Sequence, residues 1–379
     1  MKNSIIAVAG AAAVALTLAA CGAAPEESET SGGASESATE AETTEAAEGG
    51  DNADFTACMI SDEGGFDDAS FNESGFKGLE QAKDELGITI KTAESSDPGQ
   101  YAANVDSMVQ EGCNLIIGVG FALEDAIQAG AEANTDIEFA LVDSAFSDAD
   151  FAPVELPNAK PLLFNTQEAA FLAGYLAAGV SETGTVATYG GQPFPSVTIF
   201  MDGYVDGVAQ YNTDNGTDVK VLGWDKEAQT GSMIENFSDT EKGRATTEQF
   251  FASGADIVLP VAGPVGEGSL NQASTTEGTA VIWVDSDGYL QPKNEQFKSL
   301  ILTSVLKEIQ VSVFDTIKAA VEGNFTSEPY VGTLENGGVA LAPLHDWESK
   351  VDPALVERID ELKAQIISGE LKVDSPSSN

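Results

Sequence analysis

The sequence is poor in residue types that many enzymes use for acid–base and metal chemistry. Its 379 residues include one histidine, His345, and three cysteines. A Ser-His-Asp triad would depend on His345 alone, and we expect a surface or structural histidine there because it stands in the loop-like stretch A-P-L-H-D-W. The sequence has no G-x-x-x-x-G-K-[ST] motif and no histidine-rich metal spacing. These absences favour a binding protein over an enzyme.

Positive charge is scarce as well. The sequence has 17 Lys and Arg residues and 62 Asp and Glu residues, which gives a formal net charge of −45 at pH 7. Such a surface repels nucleic acid and offers no basic patch to a phosphate group. The charge therefore predicts a neutral or cationic ligand and no nucleic-acid partner. Adaptation to a salty habitat is a second interpretation that the sequence leaves open.

The first 20 residues have the pattern of a secretory leader. Lys2 precedes an apolar run from Ile5 to Ala20, and L-A-A-C places Cys21 directly after the small residues of a cleavage site. The run is short for a transmembrane helix. The pattern resembles the lipobox of bacterial lipoproteins, in which this cysteine is lipidated. We therefore expect residues 1–20 to be a signal peptide and Cys21 to anchor the protein on the extracytoplasmic face of the cell membrane.

The segment after the leader lacks Lys, Arg and aromatic residues between Gly22 and Asp54. It cannot bury enough apolar surface to offset the entropy of ordering, so we expect an acidic disordered tether over residues 21–54. Ten of the 62 acids lie in this segment and Lys2 belongs to the leader, which leaves 52 acids against 16 bases in the rest. The folded part is thus strongly acidic by itself.

Apart from Cys21, the sequence has two cysteines, Cys58 and Cys113, each in a predicted strand region. Aligning the two strand ends at Asp62 and Gly120 puts the cysteines three residues out of register. That offset corresponds to roughly 10 Å along a strand. An unstrained disulfide does not span this distance. We therefore favour two buried thiols.

From Phe55 onward, short apolar runs alternate with stretches of helical periodicity, first over residues 55–143 and again from about residue 168 to 285. Strands separated by helices of this length indicate βαβ units and parallel sheets, so the pattern predicts two α/β lobes. Ligands of such sheets bind beyond the carboxyl ends of the strands. The predicted strand ends are Asp62, Gly120, Asp143, the loop at 260–266, and Asp285.

The stretch S-D-E-G-G-F-D-D-A-S-F-N, Ser61 to Asn72, crowds polar groups at the first of these ends. It lacks the alternating oxygen ligands of an EF-hand. Nucleoside hydrolases begin with a calcium-binding D-x-D-P-G-x-D-D cluster, but here Ile60 takes the place of its first aspartate and one extra residue follows Asp62. We therefore expect no metal site and no cofactor. The glycine-rich loop A-G-P-V-G-E-G, residues 262–268, has no basic residue. As a binding signal it is weak, because a tight βα turn explains it equally well.

D-E-G-G-F-D-D-A-S-F-N resembles the N-terminal signature of the basic membrane protein family, the purine nucleoside-binding lipoproteins of ABC transporters. Further stretches follow in that family's order, from about residue 55 to 373: N-L-I-I-G-V-G-F, F-A-L-V-D, E-A-A-F-L-A-G-Y-L-A, F-S-D-T-E-K-G, L-P-V-A-G-P-V-G, W-V-D-S-D and L-T-S-V-L-K. Val261 and Pro264 depart from the family's A-A-G-G loop, which could shift contacts to a sugar.

The resemblance implies a type I periplasmic binding protein fold, with two Rossmann-like lobes joined by three hinge crossovers. It implies crossovers near Phe164, Asp287 and Val321. Lobe 1 would then comprise residues 55–164 plus 288–321, and lobe 2 residues 165–287 plus 322–379.

The resemblance also assigns ligand-binding residues: Asp62, Phe71, Asn72, Phe121, Asp143, Phe237, Gly263, Asp285 and Lys307. Phe71 and Phe237 match aromatics that sandwich the purine. Asn72 and Asp143 match positions at the base edge, and Asp62 is either a base contact or the cap of the following turn.

Asp285 and Lys307 match a pair that holds the ribose, and Gly263 lets the backbone approach the sugar. Asp67, Asp68 and Asp287 are interpreted as turn and helix-start residues. The protein implied is a monomeric non-enzyme that carries a purine nucleoside to the permease and ATPase of an ABC importer. A nucleoside hydrolase, and a sugar or signal sensor of the same fold, are the alternatives.

Overall fold

The computed structural model describes residues 52–150 and 152–378. The predicted signal peptide, Cys21 and the tether up to residue 51 lie outside these ranges. Residues 52–54, predicted as the end of the tether, are instead attached to the first lobe. Asn52 Nδ2 donates to the carbonyl oxygen of Leu86 at 2.8 Å, and Thr89 Oγ1 donates to that of Ala53 at 3.0 Å.

Strands and helices alternate through most of the described chain. The strands are β1 (Thr56–Ser61), β2 (Thr89–Ala93), β3 (Leu115–Val119), β4 (Glu138–Val142), β5 (Ala159–Phe164), β6 (Thr185–Gly190), β7 (Lys220–Leu222), β8 (Trp224–Asp225), β9 (Thr230–Gly231), β10 (Ile257–Val261), β11 (Ala280–Asp285), β12 (Ile301–Lys307), β13 (Tyr330–Gly332) and β14 (Val339–Leu341). The α-helices are α1 (Phe71–Leu86), α2 (Tyr101–Gln110), α3 (Glu124–Ala133), α4 (Thr166–Val180), α5 (Pro195–Asn215), α6 (Thr240–Ala252), α7 (Gly266–Ala273), α8 (Ile309–Val321) and α9 (Pro353–Ile367). Within residues 52–150 and 152–378, no helix combines the length and apolar character that crossing a bilayer requires.

Two six-stranded sheets form the two lobes. Lobe 1 has the order β13-β5-β4-β3-β1-β2, and lobe 2 has the matching order β14-β12-β11-β10-β6-β7. All neighbours are parallel except β14, which runs antiparallel to β12. The central strands β1, β3, β10 and β11 are buried almost throughout because helices cover both faces of a parallel sheet. The prediction of an α/β fold with two Rossmann-like lobes is confirmed.

The chain passes between the sheets three times. The first passage follows Phe164 at the end of β5, and α4 then packs on α5 and β12 in lobe 2. The second passage lies between β12 and α8, because α8 packs on α1 of lobe 1, and the third lies between β13 and β14. The predicted crossovers near Asp287 and Val321 were therefore misplaced. β12 pairs with β11 from Val281↔Ile301 onward, so residues 301–307 belong to lobe 2, whereas β13 returns the chain to lobe 1.

Cys58 and Cys113 form a disulfide, which corrects the prediction of two thiols. The predicted register was sound, since Cys58 lies opposite Ile116, three residues beyond Cys113. The distance estimate failed because Cys113 precedes β3 and does not continue it in an extended line: its N–H bonds back to the carbonyl of Met108. The two Cα atoms are consequently 5.9 Å apart, within the usual range for a disulfide.

Candidate functional site

One cavity lies between the carboxyl ends of the two sheets and brings together all nine residues that the resemblance assigned to a ligand. Lobe 1 contributes Asp62, Phe71, Asn72, Phe121 and Asp143, and lobe 2 contributes Phe237, Gly263, Asp285 and Lys307. This position agrees with the rule that open α/β sheets bind ligands beyond their strand ends. The structure thus places the nine side chains together, while their roles toward a ligand remain predictions.

The acidic loop after β1 is fixed by hydrogen bonds to its own backbone. Asp68 accepts the N–H groups of Ser70 (2.9 Å), Asn72 (2.8 Å) and Glu73 (3.0 Å), so it caps the start of α1. Carboxylates in this position satisfy the free amides of a helix and interact favourably with its dipole. The interpretation of Asp68 as a helix-start residue is confirmed, and the same side chain also reaches the cavity wall.

Asp62 links the cavity to this loop. Its Oδ1 accepts the N–H of Gly64 at 3.1 Å and Asn72 Nδ2 at 2.8 Å, so Asp62 does cap the turn while lining the cavity. Burial raises the pKa of Asp62 to about 6, and the two hydrogen bonds limit the rise. Asn72 Nδ2 also donates to Asp68 Oδ2 at 3.2 Å, whereas Asn72 Oδ1 is buried and has no hydrogen-bond partner among the described residues.

A buried charge cluster occupies the other side of the cavity. The Lys307 ammonium contacts Asp143 across the two lobes and lies 3.3 Å from Asp285 Oδ1. Its side chain is 2% exposed. Burial alone would lower the pKa of Lys307, but the two carboxylates outweigh this effect and raise it. Asp285 also accepts the hydroxyl of Ser70 at 2.8 Å.

Asp143 therefore occupies a place that the resemblance did not indicate. It was assigned to the base edge with Asn72, but its carboxylate lies against Lys307, in the same cluster as the predicted ribose pair. Asp143 and Asp285 both have a φ of 67°. Aspartate tolerates this left-handed conformation better than most residues, and strained positions of this kind concentrate at ligand sites.

Aromatic rings line the remaining wall. Lys307 Nζ lies 4.9 Å from the centre of the Phe71 ring and 5.0 Å from that of Phe200. Phe194 stands between the lobes, with its ring centre 5.2 Å from that of Phe121 and 6.0 Å from that of Phe237. These rings offer flat apolar faces close to a charged cluster, a combination suited to a ligand with an aromatic part and a hydroxylated part.

Glycines make room for two of these groups. A Cβ on Gly191 would lie 2.2 Å from the Phe237 ring, so only glycine lets that ring pack against the end of β6. Gly263 has a φ of 52°, and no atom lies within 4 Å of the place where its Cβ would be. The backbone at Gly263 is consequently open on that side, as the prediction of a close approach to the ligand requires.

The aspartates of the opening stretch do not form a calcium-binding group. Asp67 Oδ1 lies 3.0 Å from Nζ of Lys293 in lobe 2, and the Asp67 side chain is 91% exposed. Asp68 already accepts four hydrogen bonds from N–H groups. Within the described ranges, no three His, Cys, Asp or Glu side chains are arranged to hold a metal ion.

A sequence model of the Bmp family, described as "ABC transporter substrate-binding protein PnrA-like", matches residues 55–377. The chain belongs to this family. The nucleoside-binding protein BmpA of the ABC transporter of Lactococcus lactis subsp. cremoris is 30% identical over 338 residues, covering 85% of this chain and 90% of that protein. Basic membrane protein A of Borreliella afzelii is 31% identical over 322 residues, covering 82% and 89%.

A solved structure supports the fold of this Bmp-family protein. The solute-binding protein of an ABC transporter system from Aeropyrum pernix K1 aligns with a TM-score of 0.76 at 25% identity, covering 85% of this chain and 94% of that one. The type I periplasmic binding protein fold is thus confirmed. The Bmp family is one of ABC transporter substrate-binding proteins, not an enzyme family.

Sequence reasoning missed several residues of the Bmp-family cavity, among them Phe194, Ser196 and Phe200. Phe194 follows β6 by four residues, so the rule that sites lie at strand ends could have found it. Phe200 lies inside α5, where it carries no local signal that separates it from a core residue.

Proposed function

We propose that this Bmp-family protein captures a purine nucleoside between its lobes and delivers it, unaltered, to the permease and ATPase of an ABC importer. The observation that carries the proposal is the buried Lys307–Asp285 pair beside the aromatic rings. Asp285 can accept hydrogen bonds from the ribose hydroxyls while the ammonium donates and offsets its charge. The rings of Phe71 and Phe237 then hold the base by stacking.

Charge supports a nucleoside over a nucleotide. Asp62, Asp68, Asp143 and Asp285 line the cavity, and Lys307 is its single lining cation among the described residues. This cation is already neutralised by two carboxylates, so a phosphate group finds no partner. The similarity to a relative named as a nucleoside-binding protein points the same way.

The decisive experiment is mass spectrometry of the small molecules that co-purify with the protein, followed by calorimetry with guanosine, inosine and guanosine monophosphate. We expect a bound purine nucleoside and no measurable binding of the monophosphate. Recovery of a sugar, or failure of every nucleoside to bind, would refute the proposal.

Incubation with inosine separates carriage from hydrolysis. We expect the nucleoside to be recovered intact after prolonged incubation with and without calcium. Calcium-dependent release of ribose would establish the hydrolase alternative instead.

We further propose that Cys21 carries the lipid that holds the protein outside the cytoplasmic membrane. The disulfide between Cys58 and Cys113 suits an oxidising, extracytoplasmic compartment. Cys21→Ser should abolish the lipid mass on the mature N-terminus and release the protein from the membrane fraction. An unmodified N-terminus in the native protein would contradict the anchor.

A further inference from the structure

The Asn72 amide has a fixed orientation in the cavity wall. Its Nδ2 donates to Asp62 Oδ1 at 2.8 Å and to Asp68 Oδ2 at 3.2 Å. Carboxylates only accept hydrogen bonds, so the nitrogen must face them and Oδ1 must face the other way. Asn72 is 2% exposed, and Oδ1 has no donor among the described residues. A buried acceptor without a donor points to a partner that the protein does not itself supply.

Gly64 helps to keep the amide in place. A Cβ there would lie 2.7 Å from Asn72 Nδ2 and 3.3 Å from Asp68 Oδ2, so the loop can close over the amide only with glycine. Asp62 Oδ2 lies beside the backbone of Gly120 and accepts no hydrogen bond from the described residues. Asp62 and Asn72 are thus joined by a hydrogen bond and lie together in one wall of the cavity.

This wall of lobe 1 presents hydrogen-bond acceptors and no free side-chain donor. The polar side chains that lobe 1 contributes to the cavity within the described ranges are Asp62, Asp68, Asn72 and Asp143. The three aspartates accept, and the N–H groups of Asn72 are both used. A ligand edge that presents a hydrogen-bond acceptor here would place its lone pair against the lone pairs of the wall. The acceptors of the ligand and of the wall would then repel each other and both lack a donor.

We propose that the Asp62–Asn72 wall selects nucleosides by the N–H groups of their base, binding 6-oxopurines, whose ring N1 carries a hydrogen, in preference to 6-aminopurines, whose N1 is an acceptor. This inference rests on the proposed nucleoside-binding function and adds its base selectivity. Guanosine carries a 2-amino group next to N1–H, which supplies a second donor. We therefore expect guanosine to bind most tightly, inosine less tightly and adenosine most weakly. Sites built to pair a polar group discriminate strongly against an analogue that lacks it.

Calorimetry on the wild-type chain at pH 8 tests this order with guanosine, inosine, 1-methylinosine and adenosine. We expect adenosine to bind at least about tenfold, and 1-methylinosine at least about a hundredfold, more weakly than inosine. These comparisons use one folded protein, so no variant's stability can confuse them.

Asp62→Asn sharpens the test, because its amide can keep accepting from Gly64 and Asn72 while donating to an acceptor at N1. The ratio of inosine to adenosine affinity should shift at least about tenfold toward adenosine. Asp285→Asn is the control, because it makes the same change of charge in lobe 2. It should leave the ratio of inosine to adenosine affinity unchanged.

Equal affinities for inosine and adenosine in the wild type, or an unchanged ratio in Asp62→Asn, would overturn the selectivity while leaving nucleoside binding intact. Failure of all four compounds to bind would overturn the proposed function itself. The two failures are therefore distinguishable.

Discussion

The two lobes repeat the same strand order, yet the residues at some equivalent strand ends differ. The sequence Val-Asp-Ser occurs at the carboxyl end of both β4 and β11, and Asp143 and Asp285 share a φ of 67°. The next strands in order differ, because β5 ends in Phe164 whereas β12 ends in Lys307. A repeated scaffold thus supplies two similar carboxylates, and a single cation from one lobe joins them. The charge cluster is complete only when the lobes meet.

The loops after the equivalent strands β1 and β6 differ in chemistry. The loop after β1 carries Asp62 and Asp68, both fixed by backbone amides. The loop after β6 begins at Gly191, against which the Phe237 ring packs, and places Phe194 in the cavity. The polar wall and part of the aromatic wall thus come from equivalent positions in opposite lobes.

The largest effect on stability and binding is expected when Lys307, the cation that only lobe 2 supplies, is removed. Lys307→Met leaves Asp143 and Asp285 buried without a cation. Breaking a buried ion pair in this way costs about 3–5 kcal/mol of unfolding free energy. We also expect loss of measurable nucleoside binding. Urea unfolding and calorimetry provide the measurements.

Lys220→Met is the matched control for Lys307→Met. Lys220 pairs with Asp218 on the surface, where both side chains are more than half exposed. Exposed pairs contribute about 0–1 kcal/mol. Similar unfolding midpoints in the two variants would contradict the buried cluster.

The disulfide is a third difference between the lobes. Cys58 and Cys113 join β1 to the segment before β3, and they are 55 residues apart in sequence. Replacing both by serine should lower the unfolding free energy by about 2–4 kcal/mol. Hydrogen exchange should accelerate in lobe 1 more than in lobe 2. An unfolding midpoint that is the same in the wild type and the double variant would show that the bond does not form.

The aromatic wall should act on the base alone. Phe71→Ala and Phe237→Ala should each weaken guanosine and free guanine by the same factor, since stacking is worth about 1–3 kcal/mol per base. Phe76→Ala serves as a control on α1: its ring packs on Phe66, 5.1 Å away, and is not among the rings of the cavity. That variant should lose stability but retain affinity. A larger loss for guanosine than for guanine would contradict the stacking role.

The smallest expected effect is a dependence on pH. The pKa of Asp62 rises from 3.8 to about 6 in the folded protein, mainly through burial, with Asp68 and Glu63 adding repulsion. The folded state therefore retains a proton that the unfolded state has lost between these values, and the contribution of Asp62 to stability falls as pH rises through that window.

Ligand binding should reverse this shift. An N–H donated to Asp62 favours the ionised form, so guanosine should release a proton on binding near pH 6, and its affinity should rise from pH 5 to pH 7.5. Calorimetry in buffers with different ionisation enthalpies measures the proton. Proton uptake on binding would contradict the contact.

Most of the fold could be predicted because it depends on local periodicity. The alternation of apolar runs and amphipathic stretches was sufficient to predict parallel sheets and two lobes. The second crossover could not be predicted in the same way, because β12 is apolar enough to fit either sheet and only its pairing with β11 decides. The disulfide was missed for a similar reason: the path of the chain just before β3 has no signature in strand spacing.

The site was predictable where one strand end carries one polar residue, as at Asp62, Asp143 and Asp285. The site was less predictable where a contact joins residues of different lobes. The sequence places Asp143 at a strand end but does not say that Lys307, 164 residues away, lies against it. Phe200 was missed because cavity and core phenylalanines look alike along a helix.

We propose that Asp285 in lobe 2 recognises the sugar while other residues recognise the base, and a binding cycle tests this division most directly. Calorimetry should compare guanosine and guanine on the wild type and on Asp285→Ala. We predict that the variant loses at least about tenfold in affinity for guanosine, or roughly 1.4 kcal/mol, with little change for guanine. Equal losses for guanosine and guanine would show that this carboxylate does not recognise the ribose.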